Sequence, residues 1–209
     1  MDYEEFMIWA DEDTHAEWED GEVIIFMSTT NVHQMTLDFL YRLLGLFIDL
    51  FHLGQLRTAP FQMRLESTGR EPDILFIANE NLSQLSEDRL NGPADLVVEI
   101  ISKESIHRDR QTKFREYAEA GVKEYWLIDP RQGRQVADFF RLNAANEYEL
   151  FATEDDKRVE SQVLPGFWLK PDWLWQAGTL SSLAAFLEMR GLSPQQQEQV
   201  QNLLTGDSA

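Results

Sequence analysis

The apolar positions of this chain follow two periodicities. From His33 to Phe51 they recur at Leu37, Leu40, Leu44, Phe47 or Ile48, and Phe51, the spacing of an amphipathic helix with the wide apolar face of a core element. Ser28-Thr29-Thr30-Asn31 offers caps for its start, and Gly54 punctuates its end. Elsewhere, short apolar runs predict strands. One covers Glu22-Val23-Ile24-Ile25-Phe26-Met27 beyond an Asp20-Gly21 turn, another Ile74-Leu75-Phe76-Ile77, and a third 124–128. Residues 94–101 are too uniformly apolar for a strand with one wet face, so they predict a central strand covered on both sides. Residues 55–66 alternate loosely, as one or two antiparallel strands would, and Ser67-Thr68-Gly69-Arg70 reads as a turn into Pro72-Asp73. A polar connection with one helical turn fills 79–93. Residues 107–120 read as a helix with Gly121 at its C′ position, and strand, helix, strand at this spacing predicts a right-handed parallel crossover.

Beyond Pro130 the pattern turns to hairpins at 135–142, 147–152 and about 158–160. An aromatic segment from Pro165 to Trp175 closes them. Helices are predicted near 179–189 and 194–204, the second with Ser193 as N-cap and Pro194 at N1. The expected organisation is an α/β domain over 1–175, ending in a β-hairpin, followed by a C-terminal helical extension over 176–209.

Composition narrows the function classes. The 209 residues are 43% hydrophobic and 26% charged, as in a globular protein with a substantial core. No apolar run approaches the roughly 18 residues of a membrane span, so no membrane partner is expected. The acidic start lacks the order of a signal peptide. With no cysteine, disulfides and thiolate metal sites are excluded, and a cytoplasmic location is expected. The net charge of −19 is uneven: ten of the 37 acids and no Lys or Arg lie in residues 1–22, leaving 27 acids against 18 bases elsewhere. Residues 1–20 therefore read as a short helix and loop with a solvated acidic face. The acidic body argues against a broad electrostatic grip on nucleic acid.

The informative chemistry is a pair of carboxylates. In a strand, Asp95, Val97, Glu99 and Ile101 share one face, as do Asp73, Leu75 and Ile77. A lone carboxylate buried among Val and Ile costs several kcal/mol unless it is paired or metal-bound. Glu99 thus has three outcomes: a buried ion pair, a strand end open to solvent, or a metal ligand. If their strands are neighbours, Asp73 and Glu99 could converge on a hard divalent ion such as Mg2+. Lys113 is the candidate cation to stabilise charge. Asp109, Lys113 and Tyr117 form one helical ridge, which on the residues alone reads as a solvated ion pair.

The run Pro72-Asp73, then Asp95-Leu96-Val97-Val98-Glu99-Ile100-Ile101-Ser102, then Asp109-Arg110 through Lys113, Tyr117-Ala118, Ala120-Gly121-Val122 and Glu124 to Pro130 resembles the Uma-type restriction endonuclease family. That family belongs to the restriction-endonuclease-like PD-(D/E)XK superfamily. Glu19-Asp20-Gly21-Glu22 and the helix from His33 fit the same pattern, and the resemblance spans roughly 15–170. It implies a mixed sheet flanked by helices, DNA as substrate, a homodimer, and Mg2+ or Mn2+ held by Asp73 and Glu99, with Lys113 as catalytic lysine. One departure stands out: the superfamily's lysine usually follows the second acid by two residues, where this chain has Ile101. The resemblance implies a lysine moved onto the next helix, with Lys103 as the weaker substitute.

Other candidates carry less. His33 could face the site, although a plain helix-start histidine is the preferred reading. Tyr117 is expected between helix and sheet, and Trp126 in the core. Lys103, His107, Arg108, Arg110, Lys113 and Arg115 make a locally basic stretch that could contact phosphates. Two rival functions remain: a non-catalytic dimerisation or partner-binding protein on this scaffold, and a nuclease for RNA or single strands.

Overall fold

The computed structural model describes residues 1–10, 14, 16–25 and 29–206. The chain opens with α1 (Tyr3–Trp9), capped by an Asp2–Glu5 capping box, and a hairpin of β1 (Ala16–Glu19) and β2 (Glu22–Ile25). Asp20 and Gly21 both take positive φ at its turn. Phe26 and Met27 of the expected second strand, and Ser28 of the expected cap, lie outside the described residues. Next comes α2 (Asn31–Phe51), N-capped by Thr30, whose hydroxyl accepts from His33 N–H. It buries Phe39, Leu40, Leu43, Leu44, Phe47 and Ile48 along one stripe, each stabilising the fold by about 1.5–3 kcal/mol of transfer free energy. Leu43→Ala would therefore cost roughly 2–5 kcal/mol.

Six strands form the central sheet. They are β3 (Gly54–Thr58), β6 (Ile74–Ala78), β8 (Leu96–Ile100), β9 (Glu124–Asp129), β10 (Val136–Leu142) and β11 (Tyr148–Thr153), in the spatial order β11-β10-β9-β8-β6-β3. Of the sheet's neighbouring strands, only β8 and β9 run parallel, and a helical crossover joins them. Its helix is α3 (Phe114–Ala120), preceded by a π-helical turn over Arg108–Lys113. Gly121 ends α3 at φ 95°, where a side chain would be strained. At Gly54, a Cβ would lie 2.0 Å from the Ile77 carbonyl oxygen, so glycine lets β3 close on β6.

Alternation along these strands divides the core. Ile74, Phe76, Leu96, Val98, Ile100, Trp126 and Ile128 pack against α2 and the C-terminal segment. Leu75, Ile77, Val97, Ile101, Tyr125 and Leu127 pack with Tyr117 and Val122 on the other face. A strand with both faces covered is apolar at nearly every position, which explains the run at 94–101. The C-terminal helix α4 (Ser182–Met189) adds Ala185, Phe186 and Met189 to the α2 side. The last helix, α5 (Pro194–Thr205), buries no residue. Between them and β11 lie the short pair β12 (Val159–Glu160) and β13 (Trp168–Leu169).

Two expectations fail here. Thr68–Arg70 is not a turn but the strand β5, and with β4 (Gln62–Arg64) and β7 (Arg89–Asn91) it joins the N-terminal hairpin in a second sheet, ordered β2-β1-β5-β4-β7. The acidic N-terminus is correspondingly not all solvated: Glu17 on β1 is fully buried. Short polar strands such as Thr68-Gly69-Arg70 carry no hydrophobic alternation, so pattern reading passes over them.

Candidate functional site

The two sheets meet over a network of charged side chains buried against each other. Continuing the antiparallel register of Ile74 with Val98 by one step places Asp73 opposite Glu99. Asp73 Oδ2 accepts the Ile100 N–H at 2.7 Å, which fixes the carboxylate at the head of β6. Its Oδ1 lies 3.3 Å from His33 Nε2, and the Asp73 side chain keeps 18% of its exposure. His33, 4% exposed, is therefore not a plain helix-start residue. Burial would lower its pKa, but the hydrogen bond and charge of Asp73, with the Ile100 backbone and the Asp109 charge, together hold it raised.

Glu99, 3% exposed, projects to the α3 side. Its Oε1 accepts from Lys113 Nζ at 2.9 Å and from the Tyr117 hydroxyl at 2.8 Å. Burial pushes the Glu99 carboxyl up to about 8; Lys113 opposes this, while Asp109, Asp73 and Glu17 reinforce it. Asp109 is likewise raised by burial, against the pull of Lys113. The ridge read as a solvated ion pair is thus inside the protein: Asp109, Lys113 and Tyr117 are all buried. The π-helical turn, wider in cross-section than an α-helix, carries both Asp109 and Lys113, and such turns recur at functional sites.

Three carboxylates surround the Lys113 ammonium. Glu17 Oε1 is at 2.7 Å, Glu99 Oε1 at 2.9 Å and Asp109 Oδ1 at 3.7 Å. Burial favours the neutral amine, but these anions prevail and hold the lysine charged. Glu17 also meets Arg70, whose guanidinium is fully buried and makes a two-pronged bond to Glu116 at 2.7 and 2.9 Å. Burial would raise the Glu17 pKa, yet Lys113, Arg70 and Arg108 together lower it. Glu71, hydrogen-bonded by Gln62, is pushed up to about 8 by burial.

Sequence reasoning missed Glu17, Arg70 and Glu71. The only available signal was the resemblance at residues 19–22, two positions beyond Glu17. Lys103, the alternative lysine, is exposed. Part of the basic stretch is paired within the chain: Arg110 with Asp138, Arg115 with Glu119 at 4.0 Å on the surface, and Lys113 in the interior. Lys103 and His107 of the stretch remain exposed. Tyr117 and Trp126 are buried as expected.

As metal ligands, Asp73 and Glu99 offer hard oxygen donors, and Asp109 Oδ1 is a buried acceptor with no hydrogen-bond donor. Among the described residues, no group of three or more His, Asp or Glu side chains is gathered to hold a metal. Two carboxylates with water completing the shell are a common mode for Mg2+, so this donor set fits such an ion. Two surface grooves, of about 930 Å³ beside α2 and β3 and about 460 Å³ near Asp95 and Lys123, include none of the network described above. No helix among the described residues is long and apolar enough to cross a membrane.

Comparison with known proteins agrees with this architecture. A family model described as "Uma2: Putative restriction endonuclease" matches residues 3–172. Among solved structures, the chain is similar to a putative nuclease of the DUF820 group from Anabaena variabilis ATCC 29413. The TM-score is 0.71 at 15% identity, over 83% of this chain and 97% of the other. At that identity the likeness shows the fold, restriction-endonuclease-like with a mixed sheet flanked by helices. No curated protein is significantly similar.

Proposed function

The chain belongs to the Uma2 family of putative restriction endonucleases, and on that premise we propose that it is a Mg2+- or Mn2+-dependent endonuclease acting on DNA phosphodiester bonds. Asp73 and Glu99 are the proposed metal ligands and Lys113 the catalytic lysine. One observation carries the reading. Lys113, from the helix after β8, brings its ammonium to 2.9 Å from Glu99 Oε1, on the strand position facing Asp73 across the sheet. That position supports reading Lys113 as the counterpart of the lysine absent from position 101.

A divalent ion bound there would polarise a phosphoryl oxygen and lower the pKa of a water molecule. The chain's own groups supply the rest. Lys113 donates to the negative charge that develops on the phosphate oxygens. The Ile100 N–H and His33 hold Asp73 in one rotamer, and Tyr117 orients Glu99 through Oε1. Two copies acting as a homodimer would present two such sites to one duplex.

A second reading draws on burial. Lys113 and Glu99 are each 3% exposed, as in a structural ion-pair core, and a partner-binding protein on a nuclease scaffold would have the same feature. Cleavage of supercoiled and linear DNA with Mg2+ or Mn2+ separates the two. Nicking or cutting by the wild type that vanishes in Asp73→Ala supports the nuclease. Wild type and variant equally inert, with no metal-induced rise in thermal midpoint, supports the partner-binding protein.

A further inference from the structure

We propose that Glu17 is the positioning residue of Lys113: the N-terminal hairpin delivers a carboxylate that holds the ammonium at the Glu99 edge of the site. The inference rests on the reading of Lys113 as the catalytic lysine and adds a residue from a different sheet. Glu17 lies on β1, in the sheet β2-β1-β5-β4-β7, whereas Glu99 lies on β8 of the central sheet. Its side chain is fully buried, and its Oε1 makes the shortest contact to the ammonium, 2.7 Å.

The same oxygen accepts the Glu71 N–H at 3.2 Å. Lys113 is thus tied, through one atom, to the backbone two residues ahead of Asp73. The other oxygen, Oε2, faces Arg70 Nη1 at 3.2 Å and Arg108 Nε at 3.8 Å. Arg70 is already held by Glu116 and Glu19, so Glu17 is not needed to neutralise it and leaves Oε1 to the lysine. Lysine needs such an anchor because its ammonium is a point charge on a flexible four-carbon stem. Glu99 cannot serve as that anchor alone if it also binds a cation. Glu17 keeps the ammonium in place when Glu99 turns to that task.

The test reads the ammonium directly. A buried, hydrogen-bonded lysine ammonium exchanges its protons slowly and gives a nitrogen-15 resonance that exposed lysines lack. The chain has only five lysines, Lys103, Lys113, Lys123, Lys157 and Lys170, so Lys113→Met assigns the signal. In metal-free full-length protein, Glu17→Gln is expected to abolish the resonance or speed its exchange about 10-fold or more. In the cleavage assay kcat should fall about 10–100-fold with KM little changed, the size of loss seen when supporting groups around a site are removed. Glu116→Gln loosens Arg70 without touching Lys113 and should leave both readouts at wild-type level.

An unchanged ammonium signal in folded Glu17→Gln overturns the proposal, as does its loss in both variants, which would make the role merely structural. Should Glu17→Gln fail to fold, Glu17→Asp keeps the charge for Arg70 but draws the carboxylate back by one methylene. It should lose the slow resonance too, and retention there overturns the proposal. So does a wild type with no slow-exchanging Lys113 signal at all. A wild type that never cleaves DNA sinks the nuclease reading while leaving the ammonium result to decide whether Glu17 holds Lys113.

Discussion

Lys113 Nζ donates to Glu99 Oε1 across 2.9 Å, from a helix to a strand fourteen residues earlier. The pair joins the proposed second metal-binding acid to a cation, where position 101 holds an isoleucine. Replacing Lys113 by Met keeps the stem and removes the charge. Cleavage should drop about 10²–10³-fold, the loss typical of a charge-stabilising group. Stability should fall by about 3–5 kcal/mol, because three carboxylates would lose their common partner. Rate assays and denaturant melts measure the two separately. Cleavage at the wild-type rate would reduce Lys113 to a structural ion pair. Introducing Ile101→Lys into that background should recover part of the rate, limited by charge placed where Ile101 is 1% exposed.

Metal binding should stabilise the folded chain by mass action, about 2.7 kcal/mol at a concentration one hundred times Kd. Thermal midpoints with and without Mg2+ or Mn2+ read this out. Asp73→Ala should abolish the shift, and equal shifts in variant and wild type would remove the site.

Glu99→Gln should leave the metal-free protein no less stable, or slightly more so. The glutamine carbonyl can still accept from Tyr117, and Lys113 keeps Glu17 and Asp109. Burial pushes this carboxyl up to about 8 because it disfavours the charged form that the unfolded chain carries at pH 7, a cost the amide avoids. Urea melts at pH 7 check this, and a loss of several kcal/mol would show Glu99 to be a needed structural anion.

Acid stability should depend on Glu17. Its folded pKa lies below the ordinary 4.5, because Lys113 and Arg70 outweigh the cost of burial. A depressed carboxylate contributes stability that is present above its unfolded pKa and lost as pH falls through the folded value. Wild type should therefore lose stability steeply below about pH 4.5, and Glu17→Gln should show a flatter acid limb from a lower plateau. Parallel curves from pH 7 to pH 3 would contradict the shift.

DNA binding should be weak, with a shallow dependence on salt. Few phosphates can be contacted when Arg110 and Arg115 are already paired within the chain. Affinities measured with Ca2+ across salt concentrations test this, and a steep slope implying many contacts would refute it.

Much of the central sheet was legible because its strands carry a strong apolar signal. The 94–101 run, the α2 stripe and Gly121 at φ 95° were each marked by local chemistry. Asp73 and Glu99 stood out as charges in apolar company, and their register places them opposite one another. The second sheet was legible only in part: β2 and β4 fall within predicted strands, but Thr68-Gly69-Arg70 owes its strand to pairing with β1 and β4. Glu17 was hidden for a related reason. An acid among acids reads as solvated until the fold brings Arg70 and Lys113 to it. His33 was a candidate on the sequence, but only the approach of α2 to the head of β6 shows its contact with Asp73.

The contact between residues 17 and 113 also sets an order of events during synthesis. At about 5–20 residues per second, roughly 5–20 s separate the emergence of Glu17 from that of Lys113. Through that interval β1 has neither Arg70 nor the lysine for much of the time, and its carboxylate must stay hydrated. The density of acid in residues 1–22 suits a nascent segment that waits in solvent without sticking to itself. Arg70 reaches β1 as soon as β5 follows, whereas the contact of Glu17 with Lys113 can close only once the crossover helix is made.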